Sequence, residues 1–171
     1  MAEETKKQIS DAIDKLTGEY SINLTKVVVE SLGSSDGKVP FKYQPYFEND
    51  ELCHRLVINS NYYFNDSQDE FQARILRNYN RRSLASKTVE DLIAHELAHT
   101  MTFQDINSYG GLLLRNKDLM KRFIPGVSSY ADSTLDGAET IAEAFVRLRN
   151  GESVPDEANV LVKEYIERWK K

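Results

Sequence analysis

Between Leu92 and Met101 the chain reads LIAHELAHTM. No other stretch constrains the fold as much. Leu92, Ile93, Leu97 and Ala98 make this segment apolar around three ionisable residues, His95, Glu96 and His99. Thr88 followed by Asp91 forms a capping box, so the spacing predicts a helix over about 89–103. A solvated helix face would not need so many apolar neighbours. The trio is therefore expected to be partly buried, where polar groups require partners.

Positions i and i+4 lie on one helical face, about one turn apart. Two neutral imidazoles so placed can reach one metal ion. Zinc accepts nitrogen donors in tetrahedral geometry and needs at least one further protein ligand, with a position left open in a catalytic site. Glu96 is rotated about 100° from His95 and can flank the metal without ligating it. H-E-x-x-H on a helix is itself a recognised zinc-protease motif, with the glutamate as general base.

A third ligand must come from elsewhere. The one other histidine, His54, sits beside Cys53 on a predicted strand, with no spacing that links it to the motif, and is read as structural. The stretch Gly137–Phe145 (GAETIAEAF) offers more. Glu139 and Glu143 are i, i+4 on a predicted helix over about 137–149, where like charges repel unless a cation relieves them. Two ordinary readings compete. Glu139 could complete a capping box with Asp136. Glu143 could pair with Arg147 on a solvated face.

The 171 residues suit one domain, 1–171, large enough for a real core. A net charge of −5 argues against nucleic-acid binding through bulk positive charge. The single cysteine excludes both an internal disulfide and a Cys-rich zinc module. No apolar run reaches the roughly 18 residues of a membrane span, and the charged N-terminus lacks a signal-peptide core. A cytoplasmic location is expected from these features.

Ile9, Ala12, Ile13 and Leu16 recur at helical spacing, which predicts a helix over about 4–17. Ile22–Glu30 reads as a strand and Gly33–Gly37 as a loop. Two aromatic-rich arms flank Glu48-Asn-Asp50 as a hairpin, with Pro40 and Pro45 marking the first arm as an edge strand. Leu52, Leu56 and Ile58 fall on one face of the second arm and Val57 on the other. Helices follow over about 67–81, with Phe71, Ile75, Leu76 and Tyr79 on one side, and over 111–123. Asp136 or Ser133 caps the 137–149 helix. Ser153 and Asp156 cap a last one, whose stripe is Val160, Leu161, Tyr165, Ile166 and Trp169. The order is α+β, a small, mostly antiparallel sheet packed with helices.

His95-Glu96-Leu-Ala-His99, followed some forty residues later by Glu139-Thr-Ile-Ala142, resembles the gluzincin pattern HExxH…ExxA. Ser129-Tyr130-Ala131 with Ala138–Phe145 is similar to one branch of that group. That branch contains the anthrax lethal factor catalytic domain, secreted proline-specific endopeptidases and phage head-associated relatives. The matching segments cover about a fifth of the chain. The resemblance implies a zincin-like fold with the motif on a central helix, and a zinc endopeptidase acting on protein or peptide substrates through a zinc-activated water; outside a phage particle a monomer is expected. It also adds a phage particle as the alternative location. It implies His95, His99 and Glu139 as zinc ligands, and Glu96 as general base. Tyr130 would be the oxyanion donor, with Tyr109 as the alternative, and Glu143 would orient a histidine. By analogy with zincins, Val57, Ile58 and Asn59 would pair with an extended substrate. Two other classes stay open. One is a zinc-containing but non-proteolytic phage-head or toxin-associated domain. The other is a metal-free interaction domain using aromatic clusters such as Tyr62-Tyr63-Phe64.

Overall fold

Alternation in the middle of the chain builds the sheet. In the computed structural model, which describes residues 1–33, 38–62, 64 and 67–171, the hairpin arms are β2 (Phe41–Glu48) and β3 (Glu51–Asn59). Asn49 and Asp50 join them with φ of 52° and 63°, the left-handed pair that a tight two-residue hairpin favours. Before them, β1 (Lys26–Glu30) is shorter than the predicted 22–30. Part of the expected 33–37 loop, residues 34–37, lies outside the described residues, as does Tyr63 of the aromatic cluster.

The strand order is β1-β3-β2. β2 pairs with β3 antiparallel and β1 pairs with β3 parallel, so the sheet is mixed rather than mostly antiparallel. This order corrects the expectation for Val57, Ile58 and Asn59. They lie on the central strand, paired on one side with Val28–Glu30 and on the other with Phe41 and Lys42. All three are buried, so no backbone edge is open there for an added strand. The free edge facing the helices belongs to β2. Pro45 lies within it and Pro40 just before it, where a missing N–H costs little in the ladder.

Seven helices surround this sheet among the described residues: α1 (Glu3–Glu19), α2 (Gln68–Asn80), α3 (Val89–Phe103), α4 (Tyr109–Met120), α5 (Ser129–Thr134), α6 (Gly137–Arg149) and α7 (Asp156–Tyr165). Expected caps form at Ser67, which accepts from the Glu70 N–H, and at Thr88, which accepts from the Asp91 N–H. Asp136, not Ser133, caps α6. α7 starts after Pro155 with no side-chain cap, so the predicted Ser153–Asp156 box is absent. Its stripe is narrower too. Leu161, Tyr165 and Ile166 are buried, whereas Val160 is 57% exposed. Short α5, capped by Ser128, has no counterpart in the sequence reading.

α3 is the central helix. Twelve of its residues are buried, and it packs on α1, α6, β2 and β3. One core joins these elements, from Ile9 and Leu16 of α1 through Leu56 and Ile93 to Ile141 and Ile166. Among the described residues, no helix is long and apolar enough to cross a membrane.

Gly137 fixes where α6 begins. A Cβ there would stand 2.3 Å from the Leu119 carbonyl oxygen and 3.2 Å from the Arg122 carbonyl group. These are backbone atoms with little room to yield. Gly137→Ala is therefore expected to destabilise the fold by about 1–3 kcal/mol, the usual range for overpacking. The urea midpoint of unfolding would fall, and an unchanged midpoint would mean that the α4–α6 contact is looser than described.

Candidate metal centre

Helices α3 and α6 run side by side and bring the polar groups together. Buried alanines at 94 and 98 on α3, and at 138 and 142 on α6, keep side-chain bulk low beside those groups. Small side chains allow helix axes to approach closely. His95, Glu96 and His99 come from one helix, Glu139 and Glu143 from the other.

Glu143 is 0% exposed. A buried carboxylate without partners costs several kcal/mol, whereas an exposed i, i+4 ion pair contributes only about 0.3–0.5 kcal/mol. The solvated-face reading therefore fails. Arg147 turns elsewhere, to Glu152 at 3.2 Å and to the Val127 carbonyl at 2.6 Å. Glu143 Oε2 accepts the Ala85 N–H at 2.7 Å, and Oε1 lies 2.9 Å from His95 Nδ1. An ionised carboxylate can only accept, so Nδ1 carries the proton. In the neutral ring, this leaves the Nε2 lone pair free to face the site.

His95 Nε2 lies 3.3 Å from His99 Nε2. Glu139 Oε2 lies 3.1 Å from His95 Nε2, and Oε1 lies 3.5 Å from His99 Nε2. Although Oε2 is close to the imidazole, it is buried and makes no hydrogen bond of acceptable geometry. One donor atom from each of the three residues lies within 4.8 Å of the others, and the group could hold a metal ion. The capping-box reading of Glu139 fails with this. Asp136 Oδ1 accepts the Ala138 N–H, while Glu139 turns to the histidines.

The electrostatics fit a site short of positive charge. Burial disfavours a charged His95, yet the contacts with Glu139 and Glu143 outweigh it and hold the ring well above the usual histidine range. Burial likewise opposes charge on Glu139, but the adjacent His99 and His95 imidazoles hold its carboxyl well below the usual range. A proton on the histidines thus does part of what a cation would do.

Glu96 stands beside the triangle, not in it. Its Oε2 accepts the backbone N–H of Tyr43 on β2 at 2.6 Å. Burial raises its pKa, against the pull of His95, His99 and that N–H. Tyr130, on α5, is the tyrosine at the site. Its ring centroid is 6.3 Å from that of His95. Burial and the charges of Glu139, Glu96 and Glu143 push its phenol far above the usual tyrosine range, so it stays a donor. Its backbone is tied to the loop before α3, because the Tyr130 N–H donates to the Ser83 carbonyl. Tyr109 is 63% exposed and packs edge-on against Phe47 instead.

Two hollows meet at Glu96. One, of about 460 Å³, is lined by Phe41, Tyr62, Phe71, Ile75 and Leu92 and opens beside His95. The other, of about 310 Å³, passes Tyr43, Pro45, His99 and Leu112. Three contributors carry no signal in the sequence: Tyr43, the Ala85 N–H that holds Glu143, and the aromatic cavity wall. Each acts through tertiary placement, without a motif. Compared with known proteins, the chain matches no family model, no curated protein and no solved structure.

Metal ligation requires neutral imidazoles, while His95 in the metal-free protein holds its proton at neutral pH. Metal binding at pH 7 is therefore expected to release about one proton per site. Calorimetric titration in buffers of different ionisation enthalpy measures this directly. Zero release would show that the imidazoles are already neutral.

Proposed function

We propose that the protein is a zinc-dependent endopeptidase of the gluzincin kind, with zinc held by His95, His99 and Glu139. The donor triangle supports this reading above all. Ligands about 2.05 Å from a tetrahedral zinc stand about 3.3 Å apart. Here the two imidazole Nε2 atoms are 3.3 Å apart, and the Glu139 carboxylate meets them with Oε2 at 3.1 Å from His95 and Oε1 at 3.5 Å from His99, distances near that spacing. Two nitrogens and one oxygen suit zinc better than calcium or magnesium, which favour oxygen ligands in greater number.

Bound there, zinc would supply Lewis acidity to a carbonyl and to water. The chain's own groups do the rest. Glu96, its pKa raised by burial, accepts a proton from water at the mouth of the two hollows and returns it to the departing amine. The protonated Tyr130 donates to the oxygen of the tetrahedral intermediate, an interaction typically worth about 3–4 kcal/mol of barrier. Glu143 holds His95 in the tautomer that presents Nε2.

The substrate lies along β2, not β3. The Tyr43 N–H already points out of the sheet to Glu96, so the β2 edge borders the catalytic groups. Glu96 passes its proton to the leaving amine, which places the residue after the cut on the Glu96 side. The aromatic-walled cavity of about 460 Å³ opens there and admits a large apolar side chain.

Metal analysis of protein purified without chelator or histidine tag is expected to find about one zinc per chain, reduced in Glu139→Gln. Glu96→Gln should keep the metal and lose cleavage of a peptide library by at least about 100-fold, the lower end of general-base contributions. Cleavage by Glu96→Gln at the wild-type rate would remove the base assignment. A metal-free wild type whose melting is unmoved by added zinc would remove the whole reading. Among cleaved peptides, a large apolar residue should follow the cut. Ile75→Trp, which narrows the cavity, should shift that preference toward smaller side chains.

A further inference from the structure

The chain's third histidine, His54, lies outside the metal centre yet is joined to it through one tyrosine. It is fully buried on β3. Thr25 pins its backbone from both sides: the His54 N–H donates to Thr25 Oγ1 at 3.0 Å, and the His54 carbonyl accepts the Thr25 N–H at 2.8 Å. The ring is therefore a fixed point. Its Nδ1 lies 2.9 Å from the Tyr43 hydroxyl.

Counting unpaired groups decides which way that bond runs. His54 Nε2 is buried without a partner. If Tyr43 donates to Nδ1, one N–H is left unpaired. If the imidazole donates, both the phenol proton and the Nε2 lone pair are stranded, and each stranded buried group is costly. The tyrosine therefore donates to a neutral imidazole. Burial keeps His54 neutral by pushing its pKa down to about 4.

From this anchor, Tyr43 reaches the site twice. Its backbone N–H holds Glu96 at 2.6 Å. Its ring stacks on His99, with centroids 6.0 Å apart and planes 21° apart, while Phe103 stacks on it at 6.1 Å. The two metal-site histidines differ in this respect. His95 is oriented by the Glu143 carboxylate. Among the described residues, no carboxylate or carbonyl takes a hydrogen bond from His99 Nδ1, and its orienting contact is an aromatic face.

We propose that Tyr43 and His54 form a positioning pair that sets the orientation of the His99 ring and holds Glu96 through the strand. The inference rests on the zinc reading above, because it assigns both residues to the geometry of that site. The pair acts through the hydroxyl–imidazole bond, so losing either end should have the same effect.

The test uses zinc and cobalt(II) alone as probes, with wild type, Tyr43→Phe, His54→Leu, the double variant and His54→Asn. Asparagine places Oδ1 near the position of Nδ1 and keeps an acceptor for the tyrosine. Zinc affinity is read by competition with a chromogenic chelator, and the cobalt(II) absorption band reports ligand geometry. Melting of the metal-free forms reports folding. Tyr43→Phe and His54→Leu are each expected to weaken zinc roughly 10- to 100-fold, as groups that orient metal ligands commonly do, and to alter the cobalt band. The double variant should be no worse than either single change. His54→Asn should stay within a few-fold of wild type. If the singles melt lower but bind zinc as wild type does, the pair is structural only and the proposal falls while the zinc reading stands. Multiplying losses in the double variant would also overturn it, because the two residues would not act through one bond. A wild type that binds no zinc would remove the zinc reading and this inference together.

Discussion

Two buried carboxylates on α6 face two imidazoles on α3, and the central packing of the protein is arranged around that meeting. Glu143 is wholly buried, and Glu139 is partly buried, its side chain 18% exposed. Neither position is tolerable in an apolar core unless the opposing helix brings donors or a cation. Buried alanines on both helices accompany the approach. Gly137 lets α6 begin against the backbone at the end of α4. The Ala85 N–H, in the loop entering α3, satisfies the oxygen of Glu143 that His95 does not reach. Packing and polar satisfaction at this interface thus impose the same arrangement, which is how a local set of choices specifies one structure.

Much of this was legible in the sequence, for identifiable reasons. Helical periodicity and side-chain caps are local, so α2 and α3 appear with the expected Ser67 and Thr88 caps. The Asn49–Asp50 turn is local as well. The i, i+4 spacing made the His95–His99 and Glu139–Glu143 pairs legible, whereas joining Glu139 to the histidines came from the resemblance, because bringing two helices together is a tertiary event. Strand order was not legible. A β-branched run such as Lys26–Glu30 can pair with either side of a hairpin, and residue type alone does not decide which. That single ambiguity moved Val57, Ile58 and Asn59 from an expected edge to the centre of the sheet. Tyr43 was unreadable for a related reason. Its role depends on its N–H facing out of the ladder, a matter of register that no residue type reveals.

The placement of β2 then explains why the strand next to the His95, Glu96 and His99 cluster contains proline. An edge strand beside a cleft must leave backbone groups unpaired, and such edges invite unwanted pairing. Pro45 removes one donor from β2, whose pairing with His54 does not depend on it. The Tyr43 N–H is instead satisfied by Glu96. The edge is thus guarded by one residue that cannot donate and one donor already engaged. Any strand added at this edge would have to compete with Glu96 for that N–H.

Charge gives the last constraint. Glu96, Glu139 and Glu143 crowd around two imidazoles in a largely dry setting, and three carboxylates with neutral rings would leave a large uncompensated negative charge. Two remedies are available, protons or a cation. Protons are a partial remedy, because an imidazolium directs N–H bonds, and Glu139 Oε2 lies beside His95 without receiving one. A dication is not directional in that way. It could accept lone pairs from both imidazoles and Glu139 at once, since one donor atom from each lies within 4.8 Å of the others. On this argument the unpaired oxygen of Glu139 is no packing fault. It lies in a group of donors that could hold a metal ion.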